Sequence, residues 1–186
     1  MDNIKNYIVK YNFLNSKQCD DIVNNYSNND LYEKHTWSSN GEKIETEKNK
    51  ELDVTYLNNQ DGLILFKIIE SFLEDYQKKF KKSEKANKLI NNLSSFRLNR
   101  YRSNTYMREH FDHIYSLFDG EKKGIPVLSI LILLNDDFEG GQFKINNEDQ
   151  NIKKGQLIIF PSCFLFPHKV ELITKGTRYS LVAWGF

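Results

Sequence analysis

The spacing of apolar positions changes partway along the chain. Between about Asp61 and Lys82, the residues Leu65, Ile68, Ile69, Phe72, Leu73, Tyr76 and Phe80 recur at steps of three and four, which predicts a long amphipathic helix. A shorter stripe, Cys19, Ile22, Val23 and Tyr26, predicts a helix that starts at Ser16 as its N-cap and runs through about Ser27. From Phe96 the period falls to two. Strands are expected at Ser95–Tyr101, Tyr106–Tyr115, Val127–Leu134, Gln142–Ile145, Gln156–Phe160, Val170–Ile173 and Arg178–Trp184. Between them stand turn formers: Asp119-Gly120, Glu139-Gly140-Gly141, Asn146-Asn147, Lys154-Gly155 and Lys175-Gly176. Val127–Leu134 is apolar on both faces and should be a central strand covered on both sides. Helices first and strands afterwards predict an α+β, mainly β fold: a sandwich or barrel with N-terminal helices packed on one sheet. The chain is expected to form a single domain, with about 1–94 as helical support and about 95–186 as the β core. The polar, Gly-containing stretch Trp37–Asn49 is expected to be a mobile loop, and lysine-rich Lys78–Lys88 a solvated helix end.

Composition narrows the classes. The 186 residues carry a net charge of +1, so no global attraction to nucleic acid or an anionic membrane is visible. No apolar run approaches the ~18–20 residues that span a bilayer, and the start, Met1-Asp-Asn-Ile-Lys-Asn, lacks the basic-then-apolar pattern of a secretion signal. Cys19 and Cys163 are far apart and without metal spacing, so free thiols and a cytoplasmic location are expected.

The candidate chemistry lies in the β region. On a strand, His110 and Asp112 share a face, while Phe111 turns into the core behind them and His113 points away as a polar residue without a ligand role. His168, at a strand edge much further on, can meet that pair across a barrel. Two imidazoles and a carboxylate on one face of a metal leave the opposite positions open, the arrangement of non-haem Fe(II) oxygenases. A zinc hydrolase uses a similar set, but no general-base motif accompanies it here. Arg178 opens the last strand, with Ser180, Val182 and Trp184 on its face. A buried Arg needs an anion, its planar fork suits a carboxylate, and Ser180 can add a hydroxyl bond to the same oxygens. Trp184 is read as core packing beside the pocket.

Four ordered blocks carry a family resemblance. Asn99-Arg-Tyr-Arg-Ser-Asn-Thr-Tyr-Met-Arg-Glu-His-Phe-Asp, Leu128-Ser-Ile-Leu-Ile-Leu-Leu-Asn-Asp-Asp-Phe-Glu-Gly-Gly-Gln-Phe, Lys154-Gly-Gln-Leu-Ile-Ile-Phe-Pro-Ser with His168-Lys-Val, and Lys175-Gly-Thr-Arg-Tyr-Ser-Leu resemble the Fe(II)/2-oxoglutarate-dependent dioxygenases, in particular the prolyl 4-hydroxylase-like branch. The resemblance implies a double-stranded β-helix (jelly-roll, cupin-like) core. It implies His110, Asp112 and His168 as iron ligands at the catalytic centre. Arg178 would hold the far carboxylate of 2-oxoglutarate, helped by Ser180, with Tyr101 bonding the same co-substrate and Tyr106 a weaker candidate. Fe(II), 2-oxoglutarate and O2 would then be consumed or held, with ascorbate supporting activity. Succinate and CO2 would leave as an unactivated C–H bond is hydroxylated; Asp112 argues for hydroxylation, since halogenating relatives lack the carboxylate. Many collagen-type members carry Lys where this chain has Arg178, so the match is nearer the Arg-bearing microbial members and weakens any inference to collagen. A prolyl residue of a peptide or protein is the first expectation for substrate. The alternatives are a free amino acid, another small metabolite, a modified nucleobase, or a metal-binding jelly-roll module without turnover. Nucleic acid and membrane partners are not expected, because no further Arg follows the anchor within Leu181–Phe186, and no oligomeric state is implied. The stretches Trp37–Asn49 and Ser116–Gly124 are expected substrate lids.

Overall fold

The computed structural model describes residues 3–28, 30–39, 42–44, 46–80, 88–112 and 124–186. After a short 3-10 turn at Ile4–Tyr7, the elements are β1 (Val9–Asn12), α1 (Ser16–Tyr26), β2 (Glu33–Lys34), β3 (Trp37–Ser39), β4 (Glu42–Ile44), β5 (Asp53–Tyr56) and α2 (Asn59–Phe80). The β region follows as β6 (Arg97–Arg102), β7 (Met107–His110), β8 (Leu128–Leu133), β9 (Glu139–Gly140), β10 (Phe143–Ile145), β11 (Glu148–Asp149), β12 (Gln156–Pro161), β13 (His168–Val170), β14 (Ile173–Lys175) and β15 (Thr177–Gly185).

Both helices form where the apolar period places them, with caps that the pattern did not show. Asn15, not Ser16, caps α1: its side chain accepts from the Gln18 N–H, and Gln18 reaches back to the Asn15 N–H in a capping box. Asn58 accepts from the Asp61 N–H ahead of α2. Tyr26 ties the helices together, its hydroxyl donating to Asp61 at 2.8 Å and accepting from the Asn58 N–H at 3.0 Å.

A seven-stranded sheet in the order β1-β12-β8-β15-β6-β5-β2 faces a four-stranded sheet in the order β11-β10-β13-β7. The large sheet separates two cores, and the two-residue period of its strands assigns each side chain to one of them. Leu98, Ile130, Ile132, Leu157, Ile159, Leu181 and Ala183 pack outward against α1 and α2. Tyr101, Leu131, Ile158 and Phe160 point inward to Met107, Phe143, Ile145 and Val170 of the small sheet. β8 is therefore buried on both faces, as its apolar run, interrupted only by Ser129, requires. The result is the expected double-stranded β-helix with helices on one sheet.

Several local expectations differ. Trp37–Asn49 is not wholly a loop: β3 and β4 pair as a hairpin with Trp37 opposite Ile44. Val170–Ile173 divides into two strands of different sheets, β13 and β14. Strand β7 stops at His110, and Phe111 is half-buried and belongs to neither core. His113, most of Ser116–Gly124 and most of Lys78–Lys88 lie outside the described residues. Both cysteines are free thiols, and no described helix is long and apolar enough to cross a membrane.

Candidate metal centre

Cross-strand pairing, not sequence proximity, builds the centre. His110, the last residue of β7, stands directly opposite His168, the first of β13. Their ring centroids are 4.3 Å apart. Asp112 reaches them by a different route from strand alternation: it lies in a bend beyond β7, where its N–H donates to the Ser162 carbonyl at 3.2 Å. Its carboxylate ends 3.5 Å from His110 Nε2 and 3.6 Å from His168 Nε2. One donor atom from each of the three residues lies within 4.8 Å of the others.

The imidazoles are set by the main chain. His110 Nδ1 lies 2.8 Å from the Arg108 carbonyl and His168 Nδ1 lies 3.1 Å from the Phe166 carbonyl. A carbonyl only accepts, so each Nδ1 carries the proton and each Nε2 presents a lone pair to the cluster. Burial pushes His168 down to about 4, so it is neutral at ordinary pH even with Asp112 beside it. Burial alone would raise Asp112, but the two imidazoles and the Ser129 hydroxyl outweigh it and hold the carboxyl well below its usual range. Ser129 Oγ donates to Asp112 and bonds Ser162 Oγ at 2.8 Å. Two ring nitrogens and one carboxylate, converging on one point, form a donor set suited to a divalent transition metal with sites left open.

Arg178, paired with Tyr101 of the cavity wall, is buried, with 1% of its surface exposed. Nη1 donates to Ser180 Oγ at 2.9 Å, while Nε and Nη2 meet no partner among the described residues. Burial pushes the guanidinium down, but an arginine stays charged in a protein. A buried cation with two unused donors is a receptor for an anion. Tyr101 stands opposite Arg178 across β6 and β15, its ring 5.2 Å from the guanidinium carbon. Gly141 keeps this corner open: at its φ of +65° a Cβ would meet Ile173 Cδ1 at 2.3 Å and Arg178 Cδ at 3.2 Å.

The pocket between the sheets is lined by His110, Asp112, His168, Tyr101, Asn99, Arg97, Ser129 and Trp184, among others. Trp184, expected in the core, is thus part of the wall. Tyr106 is not: it is 38% exposed and lines a separate surface cleft with Lys50 and Arg108. Sequence reasoning missed Ser129, Ser162, Asn99, Arg97 and Trp37, whose ring sits 5.2 Å from that of His110. Ser129 had a signal, as the one polar residue in the apolar run Val127–Leu134.

A double-stranded β-helix whose cavity is lined by two histidines and a carboxylate, with a buried arginine beside Tyr101 of its wall, is the arrangement of non-haem Fe(II) oxygenases. Residues 96–186 match the 2OG-Fe(II) oxygenase superfamily. Over 91 residues it is 32% identical to a PKHD-type hydroxylase of Idiomarina loihiensis, covering 47% of this chain and 39% of that protein. Over 63 residues it is 38% identical to prolyl 3-hydroxylase 2 of Homo sapiens, covering 30% of this chain and 9% of that one. The chain thus spans two-fifths or less of these relatives. Its fold is similar to that of a prolyl hydroxylase of Trichoplax adhaerens, solved with a hypoxia inducible factor peptide fragment. That likeness has a TM-score of 0.70 and 18% identity, over 97% of this chain and 84% of that one. A viral collagen prolyl hydroxylase of Paramecium Bursaria Chlorella virus-1, solved as a 2OG complex, gives a TM-score of 0.67 at 16% identity, over 96% and 94%.

Proposed function

We propose that the chain is an Fe(II)- and 2-oxoglutarate-dependent dioxygenase that hydroxylates an unactivated C–H bond of a prolyl residue in a peptide or protein, releasing succinate and CO2. The observation that supports this reading is the pairing of the three-donor cluster with Arg178, whose Nε and Nη2 are buried without a partner. His110, Asp112 and His168 would hold Fe(II), which when bound supplies the one- and two-electron chemistry of O2 that side chains lack. Arg178 binds the far carboxylate of 2-oxoglutarate with its two free N–H groups, Tyr101 caps the same end, and Ser180 keeps the guanidinium in place. Ser129 and Ser162 orient the Asp112 carboxylate. The apolar walls from Leu131, Phe160 and Val182 exclude water from the reacting carbons. Ascorbate would support activity by keeping the metal reduced.

The prolyl assignment draws on the prolyl hydroxylases among the similar proteins. The test is anaerobic loading with Fe(II), then air, 2-oxoglutarate and a panel of proline-containing peptides. Succinate formation stimulated by a peptide, with a gain of one oxygen in that peptide, is the expected result. Succinate without stimulation by any peptide would redirect the substrate to small metabolites. Absence of succinate from protein shown to hold Fe(II) would leave a binding module.

A further inference from the structure

A different arginine, Arg97, lines the pocket between the sheets. Arg97 shares a face of β6 with Asn99 and Tyr101, at the opposite end of the strand from Arg178. Arg97 pairs with Val182 and Tyr101 pairs with Arg178. Four residues of strand therefore separate the two arginine stems, roughly 13 Å at the rise of a β-strand. Their heads diverge as well. Arg178 leans on Ser180 and Tyr101, whereas the Arg97 guanidinium stacks over Trp184 with its carbon 4.9 Å from the ring centroid, two residues further along β15 than Val182.

The Arg97 head is held but not neutralised. Its Nε donates to Asn99 Oδ1 at 3.0 Å, and Asn99 Nδ2 in turn faces the Tyr101 hydroxyl at 3.5 Å. Among the described residues no carboxylate pairs with its two outer nitrogens, and the nearest acid whose charge acts on it is Asp112. A guanidinium stacked on an indole and steered by an amide keeps a planar pair of donors for a planar anion. A five-carbon diacid gripped by Arg178 occupies the Tyr101 end of the pocket and leaves the Trp184 end, beside the metal cluster, to the other reactant.

We propose that Arg97 is a specificity-determining residue: it binds a carboxylate of the molecule to be hydroxylated, so that the preferred substrate is an anionic prolyl compound and not a neutral, collagen-like one. The pyrrolidine ring packs against Trp184 and Val182 while its nearby carboxylate meets the two outer nitrogens of Arg97. That carboxylate is either the α-carboxylate of the free acid or the side chain of a flanking acidic residue. This inference rests on the oxygenase reading of the pocket.

Two probe pairs test it: L-proline against L-prolinamide, and acetyl-Asp-Pro-Gly-amide against acetyl-Asn-Pro-Gly-amide. Each is titrated calorimetrically into protein loaded with redox-inert Mn(II) and 2-oxoglutarate, with succinate formation by the Fe(II) protein followed in parallel. In at least one pair the acid should bind about tenfold to a hundredfold more tightly than its amide, and the pair that does so identifies the source of the carboxylate. Arg97→Gln should bring that ratio close to one while the affinity for 2-oxoglutarate stays within about twofold. Arg97→Lys, which keeps the charge without the fork, should retain part of it. Acid and amide binding alike in both pairs, or not at all, overturns the proposal, and so does a ratio that survives Arg97→Gln. Failure of the oxygenase reading shows separately, as absence of succinate with every probe or failure to bind 2-oxoglutarate.

Discussion

Replacing Arg178 by Met should move stability in opposite directions with and without 2-oxoglutarate. In the free protein Arg178 is a cation with 1% of its surface exposed, with Ser180 as the partner of Nη1 and, among the described residues, none for Nε or Nη2. An apolar side chain of similar length removes an uncompensated buried charge, a change that stabilises by up to ~1–4 kcal/mol where it has been applied to buried ionic groups. At about 2–4 °C per kcal/mol for a chain of this size, the ligand-free Tm should rise by several degrees. The ligand effect runs the other way. Two charge-assisted hydrogen bonds of ~1.5–3 kcal/mol each together weaken binding of the co-substrate about 10²- to 10⁴-fold when lost. At a concentration a hundredfold above its Kd, 2-oxoglutarate stabilises the native protein by ~2.7 kcal/mol, or about 5–11 °C. In the variant the same concentration should give less than about 2 °C. Differential scanning fluorimetry with Mn(II), with and without 2-oxoglutarate, reads both effects in one experiment. A lower ligand-free Tm together with an undiminished ligand shift would refute the assignment of Arg178 as an anion receptor.

Ser129→Ala removes the hydroxyl that donates to Asp112 and should weaken Fe(II) or Mn(II) binding about 10- to 100-fold with little change in the metal-free Tm; equal metal affinity would show that the bend alone orients the carboxylate. Burial pushes His35 down to about 3, and at 3.6 Å Glu51 is too far to hydrogen-bond it. The unfolded chain accepts this proton near pH 6.5 while the folded chain refuses it, so stability is full above about 6.5 and falls as pH drops toward 3, by on the order of 4 kcal/mol from this group. Urea midpoints between pH 7 and 4 should fall less steeply in His35→Phe, and parallel slopes would exclude the histidine as the cause. Gly155 has φ +79°, and a Cβ there would lie 2.1 Å from the Leu14 carbonyl oxygen. Gly155→Ala should destabilise by about 2–4 kcal/mol in urea unfolding.

Where a periodic apolar pattern dictates structure, the sequence was readable. The stripe Leu65–Phe80 produces α2, and the run at Val127–Leu134, apolar but for Ser129, produces the doubly buried β8. His110, Asp112, His168, Arg178 and Ser180 could be proposed from their residue types and order along the chain, whereas Tyr101 was reached only through the family resemblance. The boundaries were less visible. The extent of β7 depends on its partner β13, and the bend that turns Asp112 inward is held by the Ser162 carbonyl fifty residues later in the chain, a contact no local pattern encodes. The β3–β4 hairpin pairs only three residues from each strand, too few for an alternation to stand out in the sequence. Arg97 was hidden among Arg97, Arg100 and Arg102: alternation puts Arg100 on the other face, where it meets Asp53 at 3.1 Å, and only the packed sheet separates the paired arginine from the unpaired one.

The two imidazoles of the cluster take their orientation from carbonyls two residues earlier in their own segments. No side-chain substitution can delete those acceptors, so the histidine corners are insulated from mutational drift in their surroundings. The carboxylate corner leans on the Ser129 hydroxyl, which the Ser162 hydroxyl supports in turn, and each is one nucleotide-scale change from absence. Variation in metal affinity among descendants of this sequence should therefore accumulate at positions 129 and 162. A protein engineer wishing to retune the metal without disturbing its nitrogens has the same two positions to turn.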